Sequence, residues 1–473
     1  MKRIARRDFI RYMAAVWGAF GTLHAAPTPE SKRPNVLFLM TDQHYAQALG
    51  AAGNSSVRTP ALDALATRGV RFEKSYCTYP LCCPGRASLF TSRMPHELGI
   101  YGNTDAELAE KGVPTLGELF REAGYDTAYA GKWHLKQAYP TFKRGSIPGF
   151  TALPIAGDDP HAQDKDKFGK GLVVDPNTAD AANAFLRKPH AKPFFLVASF
   201  LNPHDICEYG RCAELTAMLP ADPGLLPPVR PNTHAVDGLP SALAALKPKN
   251  QDRSDREWRE YLYVYERLIE KADAHIGSVM ETLRQTGLAE STIVVFTSDH
   301  GEMMGSHLMT TKEKLYDEAA NVPLIVAAPG VNPRVDSTSL VSGLDVMPTL
   351  LDYAGITAPA TLRGRSLRAL VEGRRVPWRD AVFAETVSGT EARMVRTARY
   401  KYIVYSEGSS REQFFNLESD PGETRNLAGD PSLTQEVERH RALLRNWVEE
   451  TRDPFGKMAR VGNGKDRKRH INE

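Results

Sequence analysis

The chain is short of cysteine, of net charge and of long apolar runs, and each shortage removes a class of protein. Five cysteines in 473 residues cannot staple a disulfide scaffold. With 60 Lys and Arg against 57 Asp and Glu, the formal charge is only +3. That gives neither the basic face of a nucleic-acid binder nor a general polyanion surface, so recognition of an anion has to be local. The apolar segment over residues 13–26 is too short to span a bilayer, and no membrane span is expected. There is no internal repeat. What the chain has is bulk: 42% hydrophobic residues can bury a large core, expected as one large domain and a smaller one.

The first 26 residues pair a basic start with that apolar segment, and Arg6 and Arg7 precede Asp8, Phe9 and Ile10. This resembles a twin-arginine export signal, read by a receptor that exports folded proteins, and implies a periplasmic or secreted location. Beside Cys82, the cysteines are Cys77, Cys83, Cys207 and Cys212. Cys207 and Cys212 either pair after export or stay as buried free thiols.

Residues 34–40 (PNVLFLM) form a continuous apolar run of strand length, the pattern of a parallel strand covered on both faces, ending in Thr41, Asp42 and Gln43. Similar runs over 193–200 and 291–297 end in Asn202, Pro203 and His204 and in Ser298, Asp299 and His300. A short strand over 126–130 runs into Gly131, Lys132, Trp133 and His134. A further strand is expected over 322–328, with Lys312 before it. Helices are expected after Thr59 and Pro60 (closed by Gly69), after Thr115 (capping box with Glu118, closed by Gly124), over 179–186, 256–287 and 343–354. Loops over 139–159 and 218–248 surround the strand tips, and their surroundings offer Tyr139, Phe142, Tyr209, Asp205, Glu208 and Arg211 to a sugar. Past residue 375, short strands with hairpin spacing and an amphipathic helix over 435–450 read as a small α+β unit with an antiparallel sheet. The fold class is therefore α/β: a large, mostly parallel sheet flanked by helices over 27–375, a subdomain over 376–455 and a basic tail over 456–473.

The stretch that organises the rest is YCTYPLCCPGRASLFTSR, residues 76–93. Cys82, Pro84 and Arg86 make Cys-x-Pro-x-Arg at the start of a helix, where unpaired N–H groups favour an anion and Arg86 lies one turn on along the same face. In open α/β sheets ligands bind beyond the carboxyl ends of the strands. Asp42, Gln43, Lys132, His134, His204, Asp299 and His300 all follow such ends. Together they supply hard oxygen ligands for Ca²⁺ or Mg²⁺, cations for nonbridging oxygens (Arg86, Lys132, Lys312) and proton carriers (His134, His204).

These motifs resemble the sulfatase family of the alkaline-phosphatase superfamily, over residues 35–427. The resemblance rests on Cys-x-Pro-x-Arg at Cys82, Thr-Asp-Gln at Thr41, Gly-Lys-Trp-His at Gly131, Ser-Asp-His-Gly at Ser298, Asn-Pro-His at Asn202 and Lys-x-x-x-Tyr at Lys312. It implies an alkaline-phosphatase-like fold, conversion of Cys82 to formylglycine by a formylglycine-generating enzyme, and one divalent metal. The metal, Ca²⁺ with Mg²⁺ as the alternative, would be held by Asp42, Gln43, residue 82, Asp299 and His300. It also implies roles: hydrated formylglycine attacks sulfur in line, His204 with Lys312 assists the departing alcohol, and His134 deprotonates the second hydroxyl so that sulfate is expelled. Three departures stand out. Gly85 replaces the more frequent serine, His300 a frequent asparagine, and Gln43 the second of two paired aspartates, so that it ligates as a neutral amide or not at all. The expected substrate is a sulfated carbohydrate. A phosphodiesterase or phosphonate monoester hydrolase and an inactive glycan-binding protein are the rival readings.

Overall fold

The computed structural model describes residues 33–103, 112–135, 147–155, 170–245, 252–387 and 390–455. The export signal expected over 1–26, most of the loop over 139–159 and the tail over 456–473 lie outside these residues. Among the described residues no helix is long and apolar enough to cross a membrane.

The large sheet is built from β1 (Asn35–Asp42), β2 (Val70–Phe72), β4 (Asp126–Gly131), β5 (Thr151–Ala152), β6 (Phe194–Pro203), β7 (Thr292–Ser298), β8 (Leu324–Ala327) and β9 (Arg334–Asp336), while β3 (Ser75–Tyr76) lies outside it. The spatial order is β5-β4-β6-β1-β7-β8-β2-β9. Only β8 runs against its neighbours β7 and β2. The strands whose tips carry the candidate residues, β4, β6, β1 and β7, are therefore adjacent and parallel, and their carboxyl ends share one edge.

The alternation along β1 explains its depth. Val36, Phe38 and Met40 enter one apolar cluster and Leu37 and Leu39 the other, so both faces of the strand are core. On the first face lie α2 (Cys82–Thr91), α3 (Leu116–Glu122) and α6 (Val346–Tyr353). On the second lie α1 (Pro60–Ala66), α4 (Lys170–Leu186) and α5 (Asp255–Gln285). Each fully buried Val, Leu, Ile or Phe contributes roughly 1.5–3 kcal/mol, so β1 and its neighbours β6 and β7 give the site a firmly packed floor.

Two local expectations are corrected. Gly69 does not cap α1, whose C-cap is Thr67; its missing Cβ would lie 2.4 Å from the Val326 carbonyl oxygen, so glycine is needed for close approach to β8. Helix α4 begins nine residues before the expected 179 and contains Pro176, because tertiary bonds hold its first half: the Asp175 carboxylate accepts from the amides of Leu201 (2.6 Å) and Asn202 (2.9 Å).

The small sheet is an antiparallel meander, β11-β12-β13-β14, following β10 (Val341–Ser342), which pairs with β3. Its strands are Ala381–Thr386, Ala392–Thr397, Tyr400–Tyr405 and Glu412–Asn416. Helix α7 (Thr434–Thr451) covers one face through Val437, Leu444 and Trp447. The other face packs Ala384, Met394 and Ile403 against Leu315, Tyr316 and Ala319. Polar ties reinforce that contact: Lys401 Nζ donates to the Leu315 carbonyl at 3.2 Å, and Gln413 Nε2 to the Tyr316 hydroxyl at 2.8 Å. The C-terminal sheet thereby braces the segment that carries Lys312.

Candidate active site

Cys82 is the first residue of α2 and is fully buried at the shared edge of the strands. Its Sγ lies 3.3 Å from His300 Nε2, 3.4 Å from Lys312 Nζ, and 3.8 Å from both Lys132 Nζ and Asp42 Oδ1. His134 and His204 also hydrogen bond to it. Six of the residues expected at this site thus meet one atom.

Local backbone makes this convergence. At the end of β4, Gly131 has φ 92°, and a Cβ there would stand 2.0 Å from the Ser199 carbonyl oxygen. The chain turns, Trp133 buries its ring against Phe90 (centroids 4.8 Å apart) and Tyr129 (5.4 Å), and Lys132 and His134 are left facing Cys82. His134 itself has φ 59° and Gln43 φ 70°, left-handed conformations that non-glycine residues hold at a cost of about 1–3 kcal/mol and that cluster at functional sites. Gly85 has a reason as well: a Cβ would come 2.8 Å from the Asp299 carbonyl oxygen, so α2 packs more tightly on the second acidic motif than a serine would allow.

Arg86, expected to neutralise a nonbridging oxygen, spends all three guanidinium nitrogens on the protein. It is fully buried, with Nε on Asp299 Oδ2 (2.7 Å), Nη2 on Asp42 Oδ2 (3.0 Å), and Nη1 on the Lys132 carbonyl (2.7 Å) and Ser199 Oγ (3.0 Å). It clamps the two acidic motifs from behind. Each carboxylate spends its Oδ2 on Arg86, and Lys132 Nζ adds a bond to Asp42 Oδ2 at 2.6 Å.

The Oδ1 atoms turn the other way, each 3.7 Å from His300 Nε2. His300 Nδ1 lies 2.9 Å from the Gly301 carbonyl, so a proton on Nδ1 is held there and Nε2 is the nitrogen turned to the carboxylates; burial opposes its protonation, and Asp299 and Cys82 outweigh burial and raise its pKa. Asp42, Cys82, Asp299 and His300 each offer one ligand atom, all within 4.8 Å of one another. Burial opposes ionisation of Asp42, yet Lys132, His204 and Arg86 hold its carboxyl well below the usual range. Burial and the charge of Asp42 push Asp299 up to about 6. Among the described residues Asp299 Oδ1 accepts only from the backbone amides of Gln43 (3.2 Å) and His300 (2.9 Å), so two buried carboxylates in conflict, with Oδ1 atoms not engaged by Arg86 and an imidazole nitrogen beside them, fit a divalent cation.

Gln43 is turned partly aside: its Oε1 accepts from Lys312 Nζ at 2.6 Å and its Nε2 donates to Glu302 at 2.5 Å. Burial and Lys132 hold His134 below the ordinary imidazole range; burial, Lys312 and Lys132 bring His204 down to about 4.

Among the other expected contacts, Asp205 is buried and accepts from the Leu172 amide (3.1 Å), while Glu208 pairs with the exposed Arg211 (2.9 Å) and Tyr209 packs on Tyr261. Tyr139 and Phe142 lie outside the described residues. All five cysteines are free, Cys207 and Cys212 included. A second buried cluster, His96, Glu385 and Asp453, is closed by Arg393, whose Nε lies 2.5 Å from Asp453 Oδ2. Sequence reasoning missed Ser199, which reads as an ordinary interior strand residue, and Glu302, which lies four places past the end of β7 and was discoverable only by its adjacency to the Ser-Asp-His-Gly motif.

Comparison with known proteins agrees with this geometry. The family model Sulfatase matches residues 34–356, and N-sulphoglucosamine sulphohydrolase, C-terminal, matches 305–450. The chain is 32% identical over 459 residues to a Delta 4,5-hexuronate-2-O-sulfatase of Bacteroides thetaiotaomicron, covering 92% of each protein. It is 31% identical to an ulvan-active sulfatase of Formosa agariphila, covering 90% of this chain and 83% of that one. The solved structure of a 2-O GAG sulfatase superposes with a TM-score of 0.79 at 30% identity, over 90% of this chain and 94% of the other. With the parallel sheet, the cationic pocket around Cys82 and the paired acidic motifs at its floor, these matches establish that the chain belongs to the sulfatase family of the alkaline-phosphatase superfamily, the sulfuric ester hydrolases.

Proposed function

We propose that the protein removes sulfate from a 2-O-sulfated uronic acid at the end of a saccharide, outside the cytoplasm, using formylglycine made from Cys82 and one bound Ca²⁺. The observation that carries the chemistry is the convergence of Lys132, Lys312, His134, His204, Asp42 and His300 on Cys82 Sγ, the atom that marks where an attacking oxygen would stand. The carbohydrate is supported by the relatives above, which are named for hexuronate, ulvan and GAG sulfates.

Asp42, Asp299 and His300 would hold the cation, whose charge offsets that of the sulfate; formylglycine, once hydrated, supplies the attacking hydroxyl. Asp299 Oδ1, beside that hydroxyl, would accept its proton. Lys132 and Lys312, both held above their usual lysine range against burial by Asp42, Asp299 and Cys82, stay charged and bind the nonbridging oxygens. His204, neutral in the free enzyme, gains a proton as the sulfate charge arrives and passes it to the departing alcohol with Lys312 nearby. His134 takes the proton of the second hydroxyl, so that sulfate leaves.

The pH profile follows from the sign of the His134 shift. A base whose pKa is depressed remains neutral as pH falls, and His134 acts after the alcohol has left, so with sulfate release limiting turnover the acid limb of kcat is expected below pH 6.5, the unshifted imidazole value. Replacing the Cys82 thiolate, which raises this pKa, by a neutral diol moves it further down. A profile falling with a midpoint at or above 6.5 would contradict His134 as the base.

The substrate is tested by assaying formylglycine-bearing protein on an unsaturated 2-O-sulfated hexuronate disaccharide, a 6-O-sulfated hexosamine, an aryl sulfate, choline sulfate and a phosphonate monoester. We expect kcat/KM on the first to exceed each of the others by about 10²-fold or more, the discrimination a site built for one set of polar contacts supplies. Preference for choline sulfate or the phosphonate would overturn it. Export is supported by Arg6 and Arg7 and the apolar segment behind them; fractionation that left the full chain wholly in the cytoplasm would reject that part.

A further inference from the structure

Gln43 is held at both ends. Its Nε2 donates to Glu302 Oε2 at 2.5 Å, and its Oε1 accepts from Lys312 Nζ at 2.6 Å, the same nitrogen that lies 3.4 Å from Cys82 Sγ. A carboxylate only accepts and an ammonium only donates, so these neighbours decide which end of the amide is which. The backbone is pinned as well: Gln43 N donates to Asp299 Oδ1 (3.2 Å), and its carbonyl accepts from the Tyr265 hydroxyl (2.8 Å).

Glu302 is fully buried, and among the described residues it has no cation within salt-bridge distance. Its Oε1 accepts from the Tyr261 hydroxyl (3.0 Å), the Thr311 amide (2.5 Å) and the Met304 amide (3.3 Å). With Gln43 that makes four donors on one carboxylate: three hold Oε1 in place, and Oε2 is aimed at the Gln43 amide. Burying a charge is costly, and a fold that only needed to satisfy these donors could do so with a neutral acceptor. An ionised acceptor does one thing a neutral amide cannot: it forbids the flipped orientation of Gln43.

We propose that Glu302 is a positioning residue for the cation site, turning the Gln43 amide so that its oxygen faces Cys82, Lys312 and the Oδ1 atoms of Asp42 and Asp299, and placing negative charge one side chain behind a neutral ligand. This rests on the reading that Asp42, Asp299 and His300 hold a divalent cation. Gln43 then completes the cation's oxygen set when the cation competes for it with Lys312, and Glu302 sets the affinity through it.

The test is Ca²⁺ titration by calorimetry on the full-length protein after chelation, for the wild type, Glu302→Gln, Gln43→Asp and the double variant. Glu302→Gln keeps an acceptor for Tyr261 and Thr311, and should leave the melting temperature of the chelated protein near that of the wild type while raising the Kd for Ca²⁺ about 10- to 100-fold. Adding Gln43→Asp to it should bring the Kd back to within about threefold of the wild type, since a carboxylate has no wrong end; this non-additivity is what a merely structural Glu302 would not produce. Gln43→Asp alone should weaken Ca²⁺ binding although it adds a negative charge, because it removes the amide that donates to buried Glu302 and puts a second carboxylate near it. Equal Ca²⁺ affinity in Glu302→Gln and wild type, or tighter binding by Gln43→Asp alone, overturns the proposal. If Glu302→Gln does not fold, the single Gln43→Asp variant decides the matter. A wild type that binds no Ca²⁺ rejects the metal reading and this proposal together, whereas a binding wild type with an unaffected Glu302→Gln rejects this proposal alone.

Discussion

Cys82→Ala is expected to reduce kcat on a sulfate ester by on the order of 10⁴- to 10⁶-fold, the cost of deleting a nucleophile that works as one unit with its neighbours. The fold should survive. Cys82 is the first residue of α2, where alanine is tolerated, and its Sγ is surrounded by Lys132, Lys312, His300 and Asp42 rather than by an apolar cluster, so no core packing is lost. Burial alone would raise the Cys82 thiol, but Lys132, Lys312, His300 and His134 hold it well below the usual value, so the site is built for an anion at this atom. The variant should therefore keep its circular-dichroism spectrum and a melting temperature near that of the wild type. Mass spectrometry of the tryptic peptide decides the chemistry: active wild-type protein should carry formylglycine at position 82, and active protein with only unmodified Cys82 would remove the mechanism.

Much of this site was legible because the fold writes it at strand ends. A strand buried on both faces must be a continuous apolar run, so β1, β6 and β7 announce themselves, and the short polar stretch just after each run is what reaches the edge. Asp42, His204, Asp299 and His300 are found this way, and Lys132 and His134 by the glycine that turns the chain after β4. Tyr400–Tyr405 was likewise bounded correctly, since alternation and hairpin spacing are local signals.

What could not be read depends on where a side chain ends. The face of Arg86 follows from helix periodicity, and that face does point at the site. Whether its guanidinium stops at a substrate oxygen or at the carboxylates beneath depends on the separation of α2 from β1 and β7, which no spacing encodes. Helix α4 was missed over its first half because Pro176 speaks against a helix locally, while the bonds from Asp175 to Leu201 and Asn202 that override it come from a strand tip. Gln43 and Glu302 are 259 residues apart in the chain, so a neutral ligand and the charge behind it look unrelated until the sheet brings them together.

Arg86→Lys is the second substitution with a large expected effect, and it separates charge from geometry. Both side chains are cationic, but arginine offers a planar fork while lysine offers one nitrogen. Arg86 uses three nitrogens on Asp42 (β1), Asp299 (after β7), the Lys132 carbonyl (after β4) and Ser199 (β6), joining four adjacent strand ends. A lysine there can satisfy one carboxylate and leaves the other buried without its partner, a defect that costs about 3–5 kcal/mol. Burial alone would depress the Arg86 pKa, and Asp299 and Asp42 outweigh it, so the guanidinium stays charged at every accessible pH and the loss cannot be recovered by titration. We expect Arg86→Lys to lower the melting temperature and to reduce kcat/KM by on the order of 10³-fold or more, since Asp42 and Asp299 would no longer hold their Oδ1 atoms toward His300. Saturating Ca²⁺ should recover part of the stability, because a cation among the same oxygens offsets the missing charge, and little of the activity, because the clamp that aims them is gone. A variant with wild-type kcat/KM would show that Arg86 is needed only for its charge.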